Sequence, residues 1–158
     1  QQYVMKKIGI IATKGTLDKA YPPLILASTA AALGWDVQVF CTFYGLELLR
    51  KNMDGIRVSP LANPAMPMPI PMPVFVQALP GMEAMASMMM KQKIKSKGVA
   101  SLQELREMCI EADVKFVACQ MTVDLFEFDK SDFISGVDYV GAASFMEFAG
   151  EADVCLFV

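Results

Sequence analysis

Hydrophobic positions along this chain come in short, nearly unbroken runs separated by polar turns, with little strict alternation. Lys7-Ile-Gly-Ile-Ile-Ala12 is the first such run, closed by Thr13-Lys-Gly-Thr16. Runs of this length suit strands buried on both faces of a parallel sheet. Asp18 then reads as a helix cap, Pro22 and Pro23 as first-turn residues, and Leu24 to Leu33 as an apolar helix body that Gly34 ends. Asp36-Val-Gln-Val-Phe-Cys41 predicts a second strand, and Thr42 precedes a second short helix from Gly45 to Lys51. A βαβα opening implies parallel strands joined by right-handed crossovers.

After Val58 the pattern breaks. Within Asn63-Pro-Ala-Met-Pro-Met-Pro-Ile-Pro-Met-Pro73, proline falls at every second residue from Pro67 onward, so the segment of about 63–80 reads as an extended, polyproline-like insertion. Residues 65–82 carry no charge, yet the alternating prolines remove the donors and helical geometry that a membrane span needs. No membrane span is expected. A helix is predicted over about 81–97, with Met82, Met85, Met88, Met89 and Met90 at its start and Lys91, Lys93, Lys95 and Lys97 at its end, where cations suit the helix dipole. Gly98 stops it. Ser101 and Glu104 form a capping-box pattern opening a helix to about Ala112, with Leu102, Leu105 and Cys109 at helical spacing.

The remainder alternates strand and helix. Asp113 to Ala118 is a strand, Cys119 to Asp124 turns into a helix, and Asp132 caps a short one. Val137 to Val140 is a brief strand, Ala142 to Gly150 is helical, and Asp153 to Val158 is a terminal strand. The expected fold is α/β: a single domain over 1–158 with a flavodoxin-like open, mostly parallel sheet of about five strands and helices on both faces. No internal repeat is evident.

Composition narrows the chemistry. Of 158 residues, 54% are hydrophobic and 20% charged, an apolar surplus that points to self-association as a homo-oligomer. The net charge is −3 and the basic residues are scattered apart from the lysine run, so a nucleic-acid partner is not expected. There is no histidine, which excludes Ser-His-Asp and Cys-His nucleophile pairs and the commonest zinc ligand. Four cysteines, at 41, 109, 119 and 155, form no CxxC pair, which fits free thiols in a reducing, cytoplasmic setting. With no signal-peptide pattern before the first strand, that location is the expectation.

Open parallel sheets place their sites beyond the carboxyl ends of strands. Cys119 ends a strand and begins a helix, so unsatisfied N–H groups and the helix dipole should favour its thiolate; a small buried plug is the alternative. Cys41 holds the analogous place after the second strand and can approach Cys119 if the strands are neighbours, although Phe40, Phe43 and Tyr44 around it favour an inert, buried thiol. Cys109 and Cys155 read as core. The loop Thr13, Lys14, Gly15 and Thr16 offers a cradle for a small anion, joined by Gln120, Met121 and Thr122 in the turn after Cys119. The loop lacks both glycine-rich nucleotide-phosphate motifs, and capping alone accounts for its residues equally well. Asp124 and Glu127 read as a solvated helix face. Eight of the thirteen methionines lie between 66 and 90. Thioethers are soft Cu(I) ligands, but this stretch reads better as an oligomer contact or a lid, and neither a metal nor a cofactor is expected.

The succession of strand, Cys119 and helix in Val114-Lys-Phe-Val-Ala-Cys-Gln-Met-Thr-Val-Asp124 resembles the DsrE/DsrF/DsrH family of sulfur-relay proteins. The opening Ile8-Gly-Ile-Ile-Ala-Thr-Lys-Gly-Thr-Leu-Asp18, the Thr42-Phe-Tyr-Gly45 turn and Asn63-Pro-Ala-Met-Pro67 are similar to a DsrE-like branch also described as peroxiredoxin-like. The resemblance covers nearly the whole chain. It implies a flavodoxin-like fold, homo- or hetero-oligomers, and a cysteine that carries sulfur as a persulfide or thiosulfonate between partners. That role falls on Cys119. The Pro/Met insertion departs from the compact members of the family.

The functional expectation is a sulfur carrier or sulfurtransferase: Cys119 attacks a sulfane donor, holds the sulfur and passes it to a partner thiol. Helix N–H groups with Lys14 or Thr16 stabilise the anion, and Cys41 is the accessory candidate. Its partners would be sulfur donor and acceptor proteins or small sulfur anions. The alternatives are a non-catalytic small-anion or nucleotide-binding module and a structural oligomer subunit. Peroxidase chemistry is disfavoured, because neither a resolving cysteine nor a peroxidatic threonine–arginine constellation is readable.

Overall fold

The computed structural model describes residues 5–53, 55–56 and 81–158. The Pro/Met insertion, with its expected extended conformation and its lid or oligomer role, lies outside the described residues. Among the described residues five strands form one parallel sheet in the order β4-β3-β2-β1-β5: β1 (Lys7–Ala12), β2 (Asp36–Cys41), β3 (Lys115–Cys119), β4 (Asp138–Val140) and β5 (Val154–Phe157). The helices are α1 (Leu17–Ala32), α2 (Met82–Ser96), α3 (Leu102–Glu111), α4 (Gln120–Leu125) and α5 (Ala142–Glu151), with a 3-10 helix at Phe43–Leu49. This is the open α/β sheet expected from the sequence.

The strand order sets the layers. From β1 to β4 each strand steps the same way, so right-handed connections hold their helices on one face; only the return from β4 to β5, beside β1, carries its helix to the other. The first face is the main core: Ile8, Ile10, Val37, Val39, Phe116 and Ala118 project toward Leu24 and Ala27 of α1 and Leu105 and Cys109 of α3. The second face is thinner, with Phe40, Val117, Cys119 and Phe145 forming a small cluster under α5. Phe40 and Phe145 stack at 4.8 Å, and a Cβ on Gly9 would sit 3.2 Å from the Phe145 ring. Gly9 therefore lets α5 lie close to the sheet.

Local chemistry explains where elements begin and end. α1 starts one turn earlier than its prolines imply: Thr16 is its extended N-cap, Asp18 lies inside the first turn, and Pro22 and Pro23 are interior. The buried Pro23 lies in the face turned to the core, so packing outweighs the missing backbone donors. Four helices end in the same two hydrogen bonds, in which two successive residues past the helix donate to its last turn. Gly34 and Gly98 take the left-handed position after α1 and α2, Asp113 after α3 and Glu127 after α4. Asp113, at φ +64°, is thus a helix terminator, and β3 begins at Lys115 rather than Asp113. Ser101 caps α3 as expected, its Oγ accepting from Glu104 N at 3.1 Å. The short turn Lys130–Asp132 is capped by Asp129, whose Oδ1 accepts from Ser131 N at 2.9 Å, so Asp132 ends that turn instead of opening it.

The short helix expected over 45–51 is a 3-10 helix that starts two residues earlier, at Phe43, and ends at Leu49. A Cβ on Gly45 would run into the Ala12 carbonyl, and one on Gly15 into the Tyr44 carbonyl, so both glycines permit a close approach that holds the segment against the end of β1. Its far end is gripped by Arg106 of α3. This buried guanidinium donates to the carbonyls of Leu48 at 3.0 Å, Arg50, and Lys51 at 3.4 Å. Among the described residues no helix is long and apolar enough to cross a membrane.

Candidate functional site

The site follows from the pairing of β2 with β3. In their register Cys41 lies opposite Ala118, which sets Thr42 beside Cys119 one residue further on. Successive side chains alternate between faces, so Cys41 and Ala118 enter the main core while Cys119 shares the α5 face with Phe40 and Val117. The two thiols at the ends of neighbouring strands therefore face opposite sides of the sheet. Cys41 is fully buried, and burial pushes its pKa up to about 12. The Cys109 thiol, 3.6 Å from the Leu24 carbonyl, is pushed up to about 11 for the same reason. Neither forms thiolate near neutral pH, and the accessory role expected for Cys41 has no geometric support.

Cys119 is the N-cap of α4, with φ −71° and ψ 110°, and is 5% exposed. Burial alone raises its pKa. Hydrogen bonds from the Thr122 N–H, the Thr122 hydroxyl, the Thr42 hydroxyl and the Met121 N–H outweigh that effect and hold the thiol below its ordinary value. α4 has only six residues, so these local donors, more than a long helix dipole, stabilise the negative sulfur. The hydroxyls are themselves linked: Thr42 Oγ1 and Thr122 Oγ1 are 3.1 Å apart, and Phe43 N donates to Thr122 Oγ1 at 3.2 Å. Phe43 makes that bond with φ +49°, a left-handed conformation unusual for an aromatic residue. Thr42 is fixed in turn by its own N–H, which donates to the Ala12 carbonyl at 3.0 Å.

A rim of exposed apolar side chains borders this site. Phe126 contacts both Phe43 and Tyr44 at 5.9 Å between ring centroids, and Phe43, Tyr44, Met121 and Leu125 are all exposed. Of the residues expected to bind substrate, Met121 and Thr122 do reach the sulfur, whereas Gln120 spends its amide on Asp124 Oδ1 at 2.8 Å. Thr13, Lys14, Gly15 and Thr16 sit at the end of β1, two strand spacings or about 10 Å from β3. Their loop packs on the 3-10 helix through Gly15. Cys155, expected in the core, is exposed; among the described residues β5 is an edge strand with no neighbour on its outer flank. Among the described residues no group of three or more His, Cys, Asp or Glu side chains could hold a metal ion.

Thr42 is the site residue that sequence reasoning missed. Its signal was present as a hydroxyl one residue past the end of an apolar strand, but its meaning depends on the register between strands whose paired residues, such as Cys41 and Ala118, are 77 apart in sequence. Pairing supplies what local pattern cannot.

Known proteins match the chain along nearly its full length. The sulfur carrier protein DsrE2 of Allochromatium vinosum is 65% identical over 157 residues, covering 97% of this chain and 98% of that protein. The uncharacterized protein YrkE of Bacillus subtilis is 33% identical over 156 residues, covering 97% of each. In three dimensions the ychN protein of E. coli superposes with a TM-score of 0.60 at 15% identity, over 98% of this chain and 100% of that one, a likeness of fold. The model of the DsrE/DsrF/DrsH-like family matches residues 4–157, a span that holds every strand of the sheet and the Cys119 turn, and the chain belongs to that family.

Proposed function

We propose that this protein is a sulfur carrier in which Cys119 accepts sulfane sulfur as a persulfide and hands it to a partner thiol. The observation that carries the reading is the place of Cys119 at a strand end beside the linked Thr42 and Thr122 hydroxyls, in surroundings that lower its pKa, while Cys41 and Cys109 are held protonated by burial. In the loading step the Cys119 thiolate attacks the outer sulfur of a donor R–S–SH. A new S–S bond forms, the donor S–S bond breaks, and R–S⁻ leaves with the electron pair, so no oxidant is needed. Unloading is the same exchange with an acceptor thiolate attacking the carried sulfur. The 65% identical relative named as a sulfur carrier supports this assignment.

Cys119 is nearly enclosed, so a partner's sulfur has to arrive at the rim of Phe43, Tyr44, Met121 and Leu125, an exposed apolar patch suited to transient protein contact. The same reading places the protein in the reducing cytoplasm as a homo-oligomer, in keeping with free thiols and with exposed Met146 and Phe157. Intact-mass and peptide mass spectrometry after incubation with a persulfide donor, thiosulfate or tetrathionate tests the proposal. A reductant-sensitive adduct on the Cys119 peptide is expected: one sulfur from a persulfide donor or from thiosulfate, with thiolate or sulfite leaving, and a thiosulfonate group from tetrathionate, with thiosulfate leaving. A folded protein that gains nothing from any donor, or gains sulfur equally after Cys119→Ser, would overturn it.

A further inference from the structure

Two hydroxyls from different parts of the chain meet at Cys119. Thr122 belongs to the turn that Cys119 itself opens, but Thr42 arrives from the end of the neighbouring strand and has no local reason to be there. The pair lies 3.1 Å apart, Thr122 is completely buried, and the Phe43 N–H occupies one Thr122 lone pair at 3.2 Å. Each hydroxyl owns one proton. With the thiol protonated, one of those protons serves the Thr42–Thr122 bond. With the sulfur negative, both can turn to it.

Among the described residues no charged side chain contributes to the shift at Cys119. Charged side chains on the neighbouring strands and turns pair with one another, Lys115 with Asp138 at 3.1 Å and Glu47 with Arg50 at 2.7 Å, while Asp124 accepts from Gln120. α5 turns Phe145, Phe148 and Ala149 toward the cluster that holds Cys119. Among the described residues the negative sulfur is therefore met by neutral dipoles.

We propose that Thr42 is a catalytic residue of the sulfur-carrying site: its hydroxyl rotates from Thr122 to the Cys119 sulfur when the thiol ionises, and back when the negative charge leaves that atom. The role rests on the reading of Cys119 as the carrying cysteine. As the thiolate attacks a donor persulfide, Cys119 Sγ becomes the neutral inner sulfur of the new S–S bond and the departing thiolate takes the charge. The Thr42 hydroxyl, still holding its proton, then turns back to Thr122. The residue thus sets how much thiolate is available without changing which bond is made.

The test is the pH dependence of Cys119 alkylation by iodoacetamide, followed by peptide mass spectrometry with exposed Cys155 as an internal reference, in wild type, Thr42→Val and Thr42→Ser. Losing one charge-assisted hydrogen bond should move the midpoint upward by about one pH unit in Thr42→Val and slow persulfide uptake at neutral pH by up to about tenfold; serine should restore both. Thr42→Ala repeats the comparison if the valine variant does not fold. A wild-type titration curve in the folded variants overturns the role of Thr42, even if Cys119 still loads with sulfur. A shifted curve in a protein that takes up no sulfur keeps Thr42 as the partner of the thiolate and removes the carrier reading instead.

Discussion

Cys41 and Cys119 are the same residue at the ends of adjacent parallel strands, yet the fold makes one inert and the other a candidate nucleophile. The difference is a single step of register. Cys41 is the last residue of β2 and points into the main core between the sheet, α1 and α3; Cys119 is the last residue of β3 and points to the thin face under α5, beside Thr42. Burial without donors drives the first thiol up to about 12, whereas burial with four donors leaves the second below its ordinary value. Proximity to a strand end is thus insufficient for thiol chemistry; the face and its donors decide.

The comparison is broken most completely by exchanging the two thiols for hydroxyls. Cys119→Ser should abolish the reducible sulfur adduct, and Cys41→Ser should retain it while losing about 1–3 kcal/mol of stability, because a hydroxyl would be buried without an assured partner. Mass spectrometry and urea unfolding read the two effects separately.

The turn that follows Cys41 is the next lever. Gly45→Ala places a Cβ against the Ala12 carbonyl, and since backbone has to move to admit it, the cost should be about 3 kcal/mol or more. Thr42 would be displaced with it. Unfolding curves together with the alkylation profile of Cys119 check this. A variant that keeps wild-type stability and reactivity would show that the close approach does not hold the site.

Alkaline stability sharpens the contrast at smaller cost. The folded Cys41 thiol stays protonated up to about pH 12 while the unfolded one ionises near 9, so the folded state loses stability as pH rises through that window, by about 1.4 kcal/mol per unit. Between pH 8.5 and 10.5, urea unfolding of Cys41→Ala should therefore fall about 2 kcal/mol less than wild type. Cys119 runs the opposite way: its lowered pKa stabilises the fold above the ordinary thiol range, and that contribution is lost as pH falls through the folded value.

The smallest effect lies where α4 ends. Glu127 holds a left-handed conformation at φ +53°, so Glu127→Gly should be stabilising by up to about 1 kcal/mol, with sulfur loading unchanged. A melting-temperature shift of a few degrees, or its absence, decides this.

Sequence reading found the elements that announce themselves locally: the apolar runs of β1, β2 and β3, the Ser101 cap, the glycine stops at 34 and 98, and the strand–Cys–helix junction at Cys119. It misplaced features that depend on tertiary contact. Asp18 and Asp132 have the chemistry of caps, but Thr16 and Asp129 hold those positions. The ends of the helices before Asp113 and Glu127 fell within about a residue of those expected, but the left-handed terminators themselves were not marked, because side chains stand where glycine is the usual signal. Cys155 has the sequence context of a core strand and is exposed; among the described residues its strand falls at the sheet edge. The faces assigned to Cys41 and Cys119 needed the pairing register, which no single segment encodes.

Arg106 gives the site a dependence on residues that never touch it. Its guanidinium ties the end of the Phe43–Leu49 turn from the far side of the sheet, while Thr42 and Phe43 tie the beginning beside Cys119. A seven-residue turn tethered at both ends opens as one local unit, distinct from the strand ladder beneath it. Amide hydrogen exchange through that turn therefore gauges how often the aromatic rim parts, and the loss of one arginine in α3 would quicken it while the sheet keeps its protection.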